Sequence, residues 1–414
     1  MQIKVDQARL SSELQRLAAI SDCPEPPPAV TRIVFTETDL QARAYLQTLL
    51  EDAGLKVRVD PVGNTFARWA GSDASAPAVG TGSHTDAIPH AGMYDGTVGV
   101  LGGIEAIRGL QRAGFRPRRS IELVAFTSEE PTRFGIGCTG SRAMAGLFTE
   151  EDLARYVDAD GETYDAVRKR AGFTGPVRDC LLPPGHYHAW IELHIEQGPE
   201  LERAGLPIGI VTAIAAPATL RYTVHGEGGH AGAVLMARRK DALFAAAEMV
   251  GLIERVVGEV GSPDLVATVG MLQVHPGASN SIPSRVTLTL DIRDVERSHR
   301  DQALERIMSA VQAVAGRRGV RLEQETLNWD PPAKAGQEVL AAIRKACDAS
   351  GKPYMELVSR AYHDSVFLAQ LAPMGMVFIP CRGGVSHRPD EYSSPEQISA
   401  GVEVLALALA ELAK

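Results

Sequence analysis

Five side chains with metal-ligand chemistry, His84, Asp95, Glu130, His194 and His387, each lie beside glycine or at the end of a short apolar run. A further carboxylate, Glu129, directly precedes Glu130. Two divalent ions roughly 3.5–4 Å apart need one bridging carboxylate and about two more nitrogen or oxygen ligands each. Asp95 is the natural bridge. It sits in Met93-Tyr94-Asp95-Gly96-Thr97-Val98-Gly99-Val100, where the glycines allow a tight turn and close approach of backbone to the site. His84, in Gly82-Ser83-His84-Thr85-Asp86, follows the run Ala78-Val79-Gly80-Thr81 and reads as a strand end. Asp86 is spaced to accept the free imidazole N–H of His84 on its carboxylate and so fix the tautomer. Glu130 reads as a ligand and Glu129 as the proton-transfer group beside a water that the ions acidify. Any one of these residues alone is an ordinary core or surface group. It is the joint pattern that points to a two-metal hydrolase.

The elements that must position them follow from periodicity. Ile121-Glu122-Leu123-Val124-Ala125-Phe126 reads as a buried strand that delivers Thr127-Ser128-Glu129-Glu130 to the loop after it. Val377-Phe378-Ile379-Pro380 is a second such strand, feeding Gly383-Gly384-Val385-Ser386-His387. Strand ends are where open α/β sheets place ligands. Helical patterns at 36–55 and 97–114 alternate with short apolar runs, the rhythm of a mixed, mostly parallel sheet covered by helices. Residues 213–328 read as self-contained: strand, helix (about 239–258), two strands (265–274 and 285–293), helix (298–317), strand, an α+β unit with its helices on one face. The expected organisation is therefore an α/β catalytic domain of residues 1–212 and 329–414, with 213–328 inserted as a lid or dimerisation domain. Asn328-Trp329-Asp330-Pro331-Pro332 is the expected hinge back. Residues 150–186 show no assignable period.

The global numbers restrict the class. With 414 residues and 45% hydrophobic content the chain can bury a large core, and a net charge of −9 argues against a nucleic-acid partner. No apolar run approaches the roughly 18 residues of a membrane span, and the N-terminus lacks the layout of a secretory signal. The cytoplasm is the default location. The five cysteines, Cys23, Cys138, Cys180, Cys347 and Cys381, are odd in number and lack zinc-finger spacing.

Gly82-Ser83-His84, Tyr94-Asp95-Gly96, Glu129-Glu130, Glu192-Leu193-His194-Ile195-Glu196-Gln197-Gly198-Pro199, Gly229-His230-Ala231-Gly232 and Ser386-His387 together resemble the hydantoinase/carbamoylase family of amidases, relatives of aminoacylases and of carboxypeptidase G. The resemblance runs from about residue 30 to the C-terminus. It implies that His84, Asp95 and His194 hold one ion while Asp95, Glu130 and His387 hold the other, with Glu129 as general base. It also implies roles for His230, Asn280 and Arg293 of the smaller domain, which in the family often serve the partner subunit, and a place near the substrate for Gln197. Zinc or manganese would suit the ligands, as would nickel or cobalt.

The residues support these roles on their own chemistry. Arg293, after the alternating Leu288-Thr289-Leu290-Asp291-Ile292, could take a substrate carboxylate in a bidentate pair; its bland alternative is an exposed strand-end arginine. Asn280 would add an amide donor or simply make a turn, and His230 could stabilise a developing oxyanion from a loop too glycine-rich for a regular element. Arg133 and Arg142 read as architectural. Where many carbamoylases carry Ser-Gly-Ala-Gly-His-Asp, this chain has Ser359-Arg360-Ala361-Tyr362-His363-Asp364. Tyr362 beside His363 would shrink or polarise the pocket, wording that is similar to plant ureidoglycolate amidohydrolases. Pro131 departs from the glycine common in relatives. The expected reaction is hydrolysis of the carbamoyl C–N bond of N-carbamoyl-L-amino acids or ureidoglycolate by a homodimer that closes on its substrate, releasing ammonia and carbon dioxide. Allantoate, a dipeptide or an acylated amino acid on the same scaffold is the alternative, and a non-catalytic binding protein would have lost a ligand or the base.

Overall fold

The computed structural model describes residues 1–23 and 29–414. They form two compact units, one of Met1–Thr212, Lys334–Ser359 and His363–Lys414, the other of Ala213–Ala333 with Arg360–Tyr362.

In the first unit, four strands at the centre of the large sheet are parallel, in the spatial order Met374–Ile379, Tyr187–Ile195, Ala78–His84, Ile121–Phe126. Three of the four are buried along their whole length and the fourth, Tyr187–Ile195, all but one residue. They are apolar runs rather than alternating ones, because helices cover both faces of a parallel sheet. Antiparallel strands flank them: Thr65–Trp69 beside Ile121–Phe126, and Ile208–Ile214 beside Met374–Ile379. The expected helix at 97–114 is Thr97–Arg112, and that at 36–55 is Glu37–Asp52, started by Thr36, whose side chain accepts from the Asp39 N–H. Thr97–Arg112 reaches the sheet closely because of its glycines. A Cβ at Gly99 would lie 2.4 Å from the Leu193 carbonyl oxygen and 2.6 Å from Ser83 Cβ. The C-terminal helix Pro395–Leu412 begins with a reciprocal Ser394–Gln397 cap and proline in its first turn. Its Val402, Leu405 and Leu409 join Leu101, Ile104, Leu193 and Ile379 in the main core.

The segment without legible periodicity, 150–186, folds as short pieces, helices Glu150–Arg155 and Tyr164–Arg170 and a 3₁₀ turn at Val177–Cys180. They pack Phe148, Leu153, Tyr164 and Val167 with Val34, Phe35, Val62 and Phe134 as a separate cluster.

The second unit carries a four-stranded antiparallel sheet in the order Val266–His275, Arg285–Asp294, Ala216–His225, Arg321–Trp329. Burial alternates along its two middle strands. Leu220, Tyr222, Val224, Val286, Leu288, Leu290 and Ile292 face Met249, Ile253, Leu304, Ile307 and Val311 of helices Ala242–Val260 and Arg297–Arg318. Both helices therefore lie on one face. The loop around His230 departs from expectation: Gly229–His230 pairs antiparallel with Ser281–Ile282 as a minimal ribbon. Its pairing partner is remote in sequence, which local composition cannot show.

Candidate active site

All four parallel strands release a site residue at or just beyond their C-terminal ends. His84 closes its strand, Glu129 and Glu130 follow Phe126, His194 is the penultimate residue of its strand, and His387 lies in the loop after Ile379. Asp95 enters from the turn before Thr97–Arg112. That turn requires glycine, since Gly96 has φ 66° and a Cβ there would stand 2.3 Å from His84 Nε2. Ser128 and His387 also adopt positive φ, 55° and 58°, without being glycine. Such strain persists only where surrounding contacts over-determine it, and it clusters at functional sites.

The two oxygens of Asp95 face different groups. Oδ1 lies 3.2 Å from His194 Nε2 and 3.7 Å from His84 Nε2, and Oδ2 lies 3.1 Å from His387 Nε2. His387 Nε2 is also 3.4 Å from Glu130 Oε1. Two triads that share Asp95, one with His84 and His194 and one with Glu130 and His387, thus present ligand atoms within 4.8 Å of one another. The tautomers sharpen this. His84 Nδ1 is 3.0 Å from the Asp86 carbonyl oxygen and His194 Nδ1 is 2.9 Å from that of Ile195. A carbonyl only accepts, so both Nδ1 atoms carry the proton. In the neutral rings each Nε2 then carries a lone pair beside an Asp95 oxygen, a placement that a cation between them would relieve, although His194 Nε2 also accepts the Gly96 N–H at 3.1 Å.

The electrostatics agree. Burial, reinforced by Asp95, pushes Glu130 up to about 8. Burial and then Glu130 hold Glu129 well above the carboxylate range. Burial raises Asp86, and burial with Glu192 raises Asp364. The hydrogen bond that it donates to Asp95 lifts His387 to about 9; burial pulls His194 down, but the same carboxylate outweighs it and His194 reaches about 9. Asp95 itself stays well below its ordinary value, because His194 and His387 outweigh its burial. Buried carboxylates in surplus over buried cations are what divalent ions compensate, so the donor set fits such ions on chemistry as well as geometry.

Asp86 acts differently from its expected role. The His84 imidazole bonds the Asp86 backbone oxygen, and the carboxylate, 3.7 Å from Nδ1, instead accepts the N–H groups of Glu129 (3.3 Å) and Glu130 (3.0 Å). It orients the Glu pair. Glu129 Oε2 stands 3.7 Å from His84 Nε2, and Cys138 Sγ is 3.7 Å from Glu129 Oε1. Pro131 leaves the pair beside the other donors.

The family model described as peptidase family M20/M25/M40 matches residues 80–411. The chain belongs to that family. It is 49% identical to ureidoglycolate hydrolase of Oryza sativa subsp. japonica over 99% of this chain and 85% of that protein. Its fold is similar to the crystal structure of AtUAH in complex with (S)-hydroxyglycine, with a TM-score of 0.90 and 47% identity over 100% of this chain and 99% of that one. An amidase of the hydantoinase/carbamoylase family from Burkholderia multivorans superposes with a TM-score of 0.87 and 39% identity over 99% and 98%. The resemblance drawn from the motifs thus holds at the level of the whole chain.

Within this M20/M25/M40 chain, Gln197 lies at the site, with φ 57°; its Nε2 donates to Asp95 Oδ2 (2.9 Å) and Ser386 Oγ (3.2 Å). His363, expected near the substrate, is 2% exposed, as buried as His84. It lies edge-on to His194 with ring centroids 4.6 Å apart, and its Nε2 is 3.0 Å from Ser359 Oγ. Its place is behind a donor histidine. Tyr362 belongs to the second unit, where its hydroxyl donates to Asp330 Oδ2 at 2.5 Å. In the same unit His230 Nδ1 accepts the Gly232 N–H at 3.1 Å, which leaves the proton on Nε2, and Ala231 N–H donates to the Asn280 backbone carbonyl at 2.9 Å, so the ribbon brings the His230 and Asn280 segments together. Arg293, on the sheet face away from the helices, pairs with Asp291 at 2.7 Å. Arg133 binds Asp158, and Arg142 stacks on Phe367, as architectural residues do. The sequence assigned no role to Glu391, Cys138 or Asp364, and named Ser386 only as the neighbour of His387; Glu391 and Ser386 act through hydrogen bonds that local composition does not mark.

Proposed function

We propose that this chain is a metal-dependent amidohydrolase that cleaves the ureido C–N bond of ureidoglycolate. The observation that carries the reading is the split of the Asp95 carboxylate between two triads, with imidazole Nε2 atoms of His84, His194 and His387 gathered around its oxygens. His84, Asp95 and His194 would hold one divalent ion, zinc or manganese, and Asp95, Glu130 and His387 would hold the second. When bound, such ions acidify water and polarise a carbonyl oxygen. Glu129, pinned through its N–H by Asp86, takes the proton of the attacking water and returns it to the leaving nitrogen. As the hydroxyl joins the ureido carbon, the C–N bond breaks with its electron pair going to that nitrogen. The products are hydroxyglycine and carbamic acid, which falls to ammonia and carbon dioxide. His230, with its Nδ1 taken by the Gly232 N–H, donates from Nε2 to the developing oxyanion. Arg293 and Asn280 meet the substrate carboxylate, and Gln197 meets the ureido group.

The substrate choice rests on the 49% identity to a plant ureidoglycolate hydrolase and on the likeness to a structure that holds (S)-hydroxyglycine. It is also supported by the Arg360–Tyr362 wording that replaces two glycines. We further propose that the chain works as a homodimer in the cytoplasm. Among the described residues no helix is long and apolar enough to cross a membrane. The test is ammonia release by Mn²⁺- or Zn²⁺-loaded protein from ureidoglycolate, allantoate and a panel of N-carbamoyl-L-amino acids. A kcat/KM for ureidoglycolate that leads the panel supports the reading. A carbamoyl amino acid or allantoate in that place, or no turnover of ureidoglycolate, overturns it.

A further inference from the structure

We infer that Glu391 is a positioning residue that locks the bridging carboxylate to His387 and so controls one of the two ion positions selectively; this rests on the two-ion reading above. Glu391 is 1% exposed. Its Oε1 accepts the backbone N–H groups of Tyr94 (2.9 Å) and Asp95 (3.1 Å), and its Oε2 accepts the Ser386 hydroxyl at 2.9 Å. Ser386 Oγ is also 3.1 Å from Asp95 Oδ2. One carboxylate therefore spans the Asp95 turn and the His387 loop. Room for it is made by Gly92, where a Cβ would fall 2.4 Å from Glu391 Cβ.

The two triads depend on this brace unequally. His84 and His194 are buried, and each is fixed by its own Nδ1 bond to a backbone carbonyl. The His387 side chain is 47% exposed and its backbone has φ 58°, and its imidazole meets the Asp95 and Glu130 carboxylates. Its loop is tied through Ser386 Oγ, which meets Glu391 Oε2 and also accepts from Gln197 Nε2 at 3.2 Å. Removal of Glu391 should thus weaken the ion held by Asp95, Glu130 and His387 and spare the one held by His84, Asp95 and His194.

Chelator-stripped full-length protein titrated with Mn²⁺ under equilibrium dialysis, with thermal unfolding recorded alongside, decides this. The parent chain should take up two ions. Glu391→Ala should bind the first ion within about threefold of parent and the second at least about tenfold more weakly, the scale on which groups that orient ligands act. Glu391→Gln, which keeps an acceptor for the two N–H groups and offers an N–H to Ser386 Oγ, should retain both. Ser386→Ala, which leaves the Asp95 turn braced, should weaken only the second ion, and it carries the test if Glu391→Ala does not fold. Parental affinity for both ions in the alanine variants, or equal loss of both, overturns the inference. A parent chain that binds fewer than two ions instead sinks the two-ion reading itself.

Discussion

At the scale of residues, the site is a set of lone pairs aimed at one another, and protons occupy it when cations do not. His194 and His387 sit at about 9 and Glu130 at about 8, all above neutral pH, so the ion-free site holds protons that a cation must displace. Adding Mn²⁺ or Zn²⁺ at neutral pH should release more than one proton per chain, and affinity should rise with pH until about 8–9 and fall towards acid. Calorimetry in buffers of different ionisation enthalpy reads this directly; uptake without proton release would contradict it. Glu129→Gln keeps the shape and the ligand set but cannot take a proton. It should lose about 10²–10⁴-fold in kcat while binding both ions, and a variant with parental kcat would remove Glu129 from its role. The donors themselves were legible because His, Asp and Glu at strand ends beside glycine are few. Glu391 and Asp86 were not legible in their actual roles, since both work on backbone N–H groups that sequence does not mark.

At the scale of elements, four parallel strands and one glycine turn do the positioning. The apolar runs gave those strands away, and with them the loops that carry Glu129, Glu130 and His387. The ribbon that joins His230 to Ser281 escaped notice because it has two residues a side and a distant partner. Residues 150–186 escaped because their short helices pack Leu153, Tyr164 and Val167 on Phe35, Phe134 and Phe148 instead of following one amphipathic period. Gly96 is where element and site meet. Gly96→Ala meets both a positive φ and a Cβ 2.3 Å from His84 Nε2. It should cost about 1–3 kcal/mol and lower metal affinity together with the thermal midpoint, both measurable by titration and calorimetry. A variant with parental affinity would show that the turn tolerates a side chain.

At the scale of the whole molecule, the discontinuous first unit carries every proposed metal ligand, and the inserted unit carries His230, Asn280 and Arg293. The α+β character of the insertion was legible because its strands alternate and its helices keep their period. That Arg360–Tyr362 group with the second unit was not, since three residues carry no pattern. If Arg293 meets the substrate carboxylate as proposed, Arg293→Lys should raise KM for ureidoglycolate by about tenfold or more, because a lysine cannot make a bidentate pair; metal content should stay unchanged. An unaltered KM would assign Arg293 to its Asp291 pair alone.

The most direct test of the central claim is anomalous diffraction at the manganese edge from crystals of the Mn²⁺-loaded protein. Two peaks roughly 3.5–4 Å apart are predicted on either side of the Asp95 carboxylate, one beside His84 and His194 and one beside Glu130 and His387. A single peak, or none within reach of Asp95, would contradict the account.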